Sequence, residues 1–247
     1  KEAAEQGAEL VLLPENFAVL DSSALIEIAR DEKESGYIHK LLSAWANAYG
    51  IWIVAGSMPI VASPDEGKVF AASVVFNGEG QVVARYNKVH LFDVDVADKH
   101  SSYRESDYMT PGTELEVVDT ICGSLGLSIC YDIRFPEQYQ KLRDMGAEVI
   151  SVPAAFTYVT GEAHWELLLR ARAVETQCYV LAANQGGEHS ASRSTWGHSM
   201  IIDPWGRVLA EKTEPGPGIV LATIDLEYLR QCRSNMPLQV HRNQVGF

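Results

Sequence analysis

The sequence lacks every paired-cysteine signature: its four cysteines, at 122, 130, 178 and 232, are unevenly spaced and form no CxxC. That excludes a zinc ribbon and a dense disulfide framework, and it fits free thiols in a reducing compartment. None of the seven histidines belongs to an HExxH or pairs at helical spacing beside a carboxylate, which leaves a metal-dependent hydrolase without support. Basic side chains are scarce. With 20 Lys and Arg against 33 Asp and Glu, the formal charge of -13 repels a phosphate backbone and leaves no basic stripe for nucleic acid. No run approaches the roughly 18 consecutive apolar residues of a membrane span, and the opening KEAAEQGAEL has no apolar secretion-signal core. The chain is expected to be soluble and cytoplasmic, to need no metal or cofactor, and to take a small-molecule partner.

What is there suffices for one substantial core: 247 residues, 47% hydrophobic, read as a single α/β domain over 1–247. Short apolar runs rich in β-branched residues recur at 8–14, 51–57, 71–77, 81–87, 126–132, 147–153, 178–184 and 199–204, and read as strands. Helical spacing covers 38–49, 136–145 and 163–176. NGEG at 77–80 and DPWG at 203–206 carry the Asn, Asp and Gly of tight hairpin turns, so the sheets are mixed rather than purely parallel. The start, KEAAEQGA, reads as the end of an amphipathic helix with nothing before it to cap it, and a preceding first strand and helix start are expected to be missing.

Three polar residues stand at the ends of these runs. Cys130 closes GLSICYD, and Pro136 is placed to open the next helix; such a strand-to-helix elbow exposes a nucleophile and offers backbone N–H groups to an oxyanion. A cysteine at a strand end is more often a small buried hydrophobe, so its partners decide the matter. Glu15 follows Leu-Val-Leu-Leu-Pro at the tip of a strand that reads as buried, where a carboxylate can take a thiol proton and return it to a leaving amine. Lys88 lies just past the hairpin formed by 71–77 and 81–87; a surface charge is the ordinary reading, but an ammonium beside a thiolate would lower its pKa and hold a tetrahedral oxyanion.

LLPENF (12–17), YNKVHLFD (86–93) and GLSICYDIRFPE (126–137) stand in the order of the Glu, Lys and Cys motifs of the carbon-nitrogen hydrolase, or nitrilase, superfamily, which the chain resembles. The likeness continues through AHWELLLRARAVETQCYV (163–180) and GHSMIIDPWGRVLA (197–210), which look most like the Nit branch and, within it, the deaminated glutathione amidases rather than the omega-amidases. The resemblance implies a four-layer α-β-β-α sandwich with mixed sheets. It implies an amidase that attacks a small carboxylate-bearing amide through a thioester on Cys130, with Glu15 as general base and then acid, Lys88 and the N–H of Tyr131 as oxyanion holders, and Glu105 bracing the lysine. It also implies a homodimer or larger homo-oligomer, with the helix at 137–145 and the arm after 225 as its contacts.

Around this centre, Phe156, Thr157 and Thr160 match the loop that lines the family's acyl pocket, although Glu162 stands where relatives often have an uncharged residue. Arg134 either steadies the loop beside Asp132, the better-supported reading, or holds a substrate carboxylate; Arg193 is a candidate contact for an anionic acyl tail against the ordinary reading as a solvated loop charge. His90, His164, Trp165 and Glu166 read as packing and hydrogen-bonding supports, and Cys122, Cys178 and Cys232 as structural. An omega-amidase, a carbamoyl-amide hydrolase or a true nitrilase shares the same triad, and a non-catalytic scaffold could keep the fold without the chemistry.

Overall fold

Period-two alternation along the strands builds the molecule outward from the middle. The computed structural model describes residues 1–63, 67–214 and 216–244, apart from the Ser63 side chain. A first sheet is formed by β1 (Leu10–Leu12), β2 (Trp52–Val54), β3 (Met58–Ser63), β4 (Lys68–Phe76) and β5 (Val82–Asn87). β1 and β2 run parallel, whereas the long β4 pairs antiparallel with β2, β3 and β5. After the small hairpin of β6 (Asp93–Asp95) and β7 (Ser102–Arg104) comes a second sheet, begun by β8 (Val117–Thr120), β9 (Gly123–Leu127), β10 (Val149–Ala154) and β11 (Tyr179–Asn184). A two-stranded excursion, β12 (Gly186–Glu188) and β13 (Ser194–Trp196), precedes β14 (Met200–Ile202) and β15 (Val208–Glu211), which complete that sheet in the order β15-β14-β11-β10-β9-β8.

Successive side chains on one strand go to different layers. Val54 and Val75 join the core shared with the second sheet, while their neighbours Ile53, Val74 and Phe76 pack on the other side against Leu42 and Ala46. Those two belong to α3 (Tyr37–Tyr49), preceded by α1 (Glu2–Glu5) and α2 (Leu25–Ser35), whose Leu25 and Ala29 cover Val69 and Ala71. Beyond the second sheet, α4 (Pro136–Asp144) and α5 (Tyr158–Thr176) bury Tyr139, Leu142, Trp165, Leu169 and Ala173 in the main core. The layers are thus helix, sheet, sheet, helix, with α6 (Leu226–Asn235) and α7 (Leu238–Gln244) following at the C-terminal end.

All eight expected strand segments contain a strand, but 126–132 is a strand only as far as Leu127. Ser128 and Ile129 leave the ladder, and residues Cys130–Arg134 wind into a 3-10 turn. Pro136 then occupies the first turn of α4, where its missing N–H costs no hydrogen bond. The helix expected over 163–176 begins five residues earlier, at Tyr158, because Thr157 caps it by accepting from the Thr160 N–H.

Candidate active site

The parallel strands β1, β9 and β10 release their chains at their C-terminal ends toward one cavity of about 270 Å³. Pro14 ends the first ladder, since it has no N–H to donate, and Glu15 follows it. The turn is held by contact: a Cβ at Gly56 would stand 1.9 Å from the Pro14 carbonyl oxygen, so only glycine fits there. Asn16 adopts a left-handed φ of 54° and donates its N–H to Ser57 Oγ at 2.9 Å. Cys130 is also left-handed, at φ 47°, the sharp turn that lifts a side chain off the end of β9.

The three residues singled out from distant stretches do meet. Lys88 Nζ donates to Glu15 Oε1 at 2.9 Å and to Glu105 Oε2 at 2.8 Å, and it is 1% exposed. Glu15 Oε2 accepts the Ala155 N–H at 2.9 Å, and Glu105 Oε2 accepts the Phe92 N–H at 2.7 Å. The Cys130 thiol lies beside the Glu15 carboxylate and the Ala155 N–H. Glu15, Glu105 and Cys130 line the cavity; Lys88 stands behind the two carboxylates.

Burial opposes charge on Lys88, but the carboxylates of Glu105 and Glu15 outweigh it and hold the ammonium well above its usual range. Burial, with Glu15 adding to it against Lys88, raises Glu105 above an ordinary carboxyl. For Cys130 the outcome differs from the expectation that Lys88 would lower it. Burial and the Glu15 charge push the thiol well above its usual value, and the opposing pull of Lys88 is too small to reverse them. The resting group is therefore a thiol with a carboxylate at hand, which suits proton removal during attack rather than a standing thiolate.

The remaining expected residues, Tyr131, Arg134, Phe156, Thr157, Thr160 and Arg193, all line the same cavity. Arg134 does not pair with Asp132. Its guanidinium sits 5.3 Å from the Phe156 ring and 5.9 Å from that of Tyr131, with His164 Nδ1 at 3.3 Å, and makes no carboxylate pair among the described residues. Arg193 is likewise no free surface charge: it donates to the Leu20 carbonyl at 2.6 Å and enters the cavity wall from the loop between β12 and β13. Glu162 is exposed on α5 and does not line the cavity.

Some wall residues gave no sequence signal. Ala155 contributes a backbone N–H, which any residue could supply, and His100, Tyr103 and Asp107 arrive on and after the β6–β7 hairpin. Residues 94–104 read from the sequence only as a loop. Among the described residues no cluster of three His, Cys, Asp or Glu is arranged to hold a metal ion, and no helix is long and apolar enough to cross a membrane. All four cysteines are free thiols.

Comparison with known proteins agrees with this geometry. The carbon-nitrogen hydrolase family model matches residues 1–234. The deaminated glutathione amidase of Yersinia enterocolitica is 44% identical over 240 residues, covering 97% of this chain and 84% of that protein. The protein of the same name from Mus musculus is 45% identical over 245 residues, 98% of this chain and 75% of its own length. The crystal structure of the C. elegans NitFhit protein superposes with a TM-score of 0.90 at 40% identity, covering all of this chain and 60% of that longer one. With the match running through every segment that builds the cavity, this chain belongs to the carbon-nitrogen hydrolase family.

Proposed function

We propose that the chain is a cysteine-dependent amidase for a small carboxylate-bearing amide resembling deaminated glutathione, the substrate named for its relatives. One observation carries the reading: a thiol, two carboxylates and an ammonium, brought from residues 130, 15, 105 and 88, share the floor of one cavity and its backing. In this reading Glu15 takes the Cys130 proton as sulfur bonds to the amide carbon, and Lys88 with the Tyr131 N–H receives the oxyanion. Glu15 returns the proton to the departing nitrogen, the C–N bond breaks, and the amine or ammonia leaves. Water then yields a proton to Glu15, attacks the thioester and releases the acid, and the thiol is restored. Glu105 keeps Lys88 charged and in place.

The substrate's carboxylate is assigned to the cavity wall at Arg134, which has no carboxylate partner among the described residues, and Arg193, which spends one donor on the Leu20 carbonyl. Assembly as a homodimer or larger oligomer is part of the proposal, supported by apolar side chains left exposed on α5 and α7, Leu167, Val174 and Val240, and at Met236 between α6 and α7. The test is a panel of deaminated glutathione, α-ketoglutaramate, simple nitriles and N-carbamoyl amino acids, scored for the acid and the released amine or ammonia. Turnover of the first, abolished in Cys130→Ala without loss of fold, is the expected result; full activity in Cys130→Ala refutes it.

A further inference from the structure

Beneath the site lies a carboxylate that the chemistry above does not use. Asp132 is completely buried, yet among the described residues no lysine or arginine pairs with it; the groups bonded to its two carboxylate oxygens are hydrogen-bond donors. Oδ1 accepts the His90 N–H at 3.0 Å and meets the His90 ring Nδ1 at 2.8 Å. Oδ2 accepts the Ile129 N–H at 2.8 Å and the Tyr86 hydroxyl at 2.7 Å. Tyr86 Oη, its proton committed to Asp132, accepts in turn from the Val89 N–H at 3.2 Å and from Gln138 Nε2 at 3.0 Å.

The chain positions of these donors give the arrangement its meaning. Tyr86, Val89 and His90 flank Lys88 on both sides, and Ile129 and Asp132 flank Cys130. Lys88 follows a strand of the first sheet, whereas Cys130 follows a strand of the second. One buried carboxylate therefore ties the two segments across the sheet-to-sheet interface. The tie is stiffened from outside, since the His90 ring stacks on Phe135 at 3.6 Å with planes 7° apart, and the Phe135 N–H donates to the Asp132 carbonyl.

We infer that Asp132 is a positioning residue for the amide-cleaving step, setting the Lys88 segment and the Cys130 turn in mutual register. The inference rests on the proposed roles of Cys130 and Lys88. An amide cannot replace this carboxylate, because its NH₂ would face a donor whichever way it turned: the His90 N–H on one side, the Ile129 N–H on the other. One of the two tied segments must then move, and a shift of about 1 Å at the reacting groups costs on the order of 100-fold in rate.

The experiment compares Asp132→Asn, Tyr86→Phe, their double variant and Cys130→Ser in steady-state amide hydrolysis, with thermal melts to establish folding. For Asp132→Asn kcat falls by about 100-fold while KM changes by less than about tenfold, because Asp132 itself does not line the cavity and Phe156, Thr160 and Arg193 in its wall lie outside the two tied segments. Tyr86→Phe loses about tenfold in kcat, and the double variant is no slower than Asp132→Asn, since both break one unit. Alkylation of Cys130 by iodoacetamide slows in parallel with kcat.

Unchanged kcat in folded Asp132→Asn, a loss carried by KM alone, or fully multiplicative effects in the double variant overturns the inference. If Asp132→Asn does not fold, Tyr86→Phe decides: a fall in kcat at constant KM supports it, and wild-type kcat overturns it. An active Cys130→Ser removes the underlying reading of the site, whereas an inactive Cys130→Ser beside a fully active Asp132→Asn removes only the positioning role.

Discussion

Replacing Glu15 by Gln separates two effects of one carboxylate and predicts that they move in opposite directions. In the native site Glu15 Oε1 accepts from Lys88 and Oε2 from the Ala155 N–H, both at 2.9 Å, so a glutamine must turn its NH₂ toward one of these donors. On the proposed mechanism the variant has no base to take the thiol proton, a role worth about 10²- to 10⁴-fold, equivalent to about 3 to 5 kcal/mol in the barrier. Yet the Glu15 charge is one of the forces that hold the Cys130 thiol up, second only to burial, and its removal leaves the pull of Lys88 less opposed. The thiol of Glu15→Gln therefore titrates at lower pH than that of the native protein while turnover collapses. Alkylation rate against pH reads the first quantity and kcat the second. If kcat stays within about threefold of native, the base is elsewhere; if the alkylation midpoint rises, the electrostatic account of the thiol is wrong.

Three further outcomes follow from the same geometry. Lys88→Met leaves Glu15 and Glu105 adjacent, buried and uncompensated, so the fold should lose about 3 to 5 kcal/mol in denaturant unfolding. Because burial already holds Glu105 above its unfolded value, the native state of that variant binds the extra proton, and its stability should recover as pH falls and decline as pH rises; a stability independent of pH refutes this. In the native protein, Cys130 alkylation should keep increasing with pH beyond the ordinary cysteine value of about 8.5, and a midpoint near 7 would mean a standing thiolate. Gly56→Ala places a methyl 1.9 Å from the Pro14 carbonyl at a φ of 31°, so it should cost at least about 2 kcal/mol and depress kcat by shifting Glu15; wild-type melting and turnover would show that the turn yields freely.

Much of the scaffold was legible because its two inner sheets are apolar on strands with clear boundaries: β10 and β11 are almost wholly buried and read so from VISVPA and YVLAAN. The helix α2 was not read, since its buried side chains Leu25, Ala29 and Glu32 include a carboxylate, which accepts the Ile38 and His39 N–H groups at the start of α3. A charged residue facing inward breaks the apolar stripe on which helical periodicity depends. At the site, Glu15, Lys88 and Cys130 were visible as polar residues ending apolar runs and as parts of motifs. The environment of Arg134 was not: adjacency in sequence suggested Asp132 as its partner, but the 3-10 turn directs the carboxylate inward and the guanidinium toward Phe156. Sequence neighbours two apart on such a turn need not share a face. The sign of the Cys130 shift was illegible for a related reason, since burial of the thiol is a property of the assembled layers and not of its own segment.

The floor of the cavity holds two acids, Glu15 and Glu105, against a single base, Lys88, which is hydrogen-bonded to both. On the proposed reading an anionic substrate therefore has a preferred way round, its charged end turned toward Arg134 and Arg193 in the cavity wall and its uncharged amide toward the sulfur. Orientation of the substrate would in this sense be set by the field of the cavity before any shape complementarity comes into play.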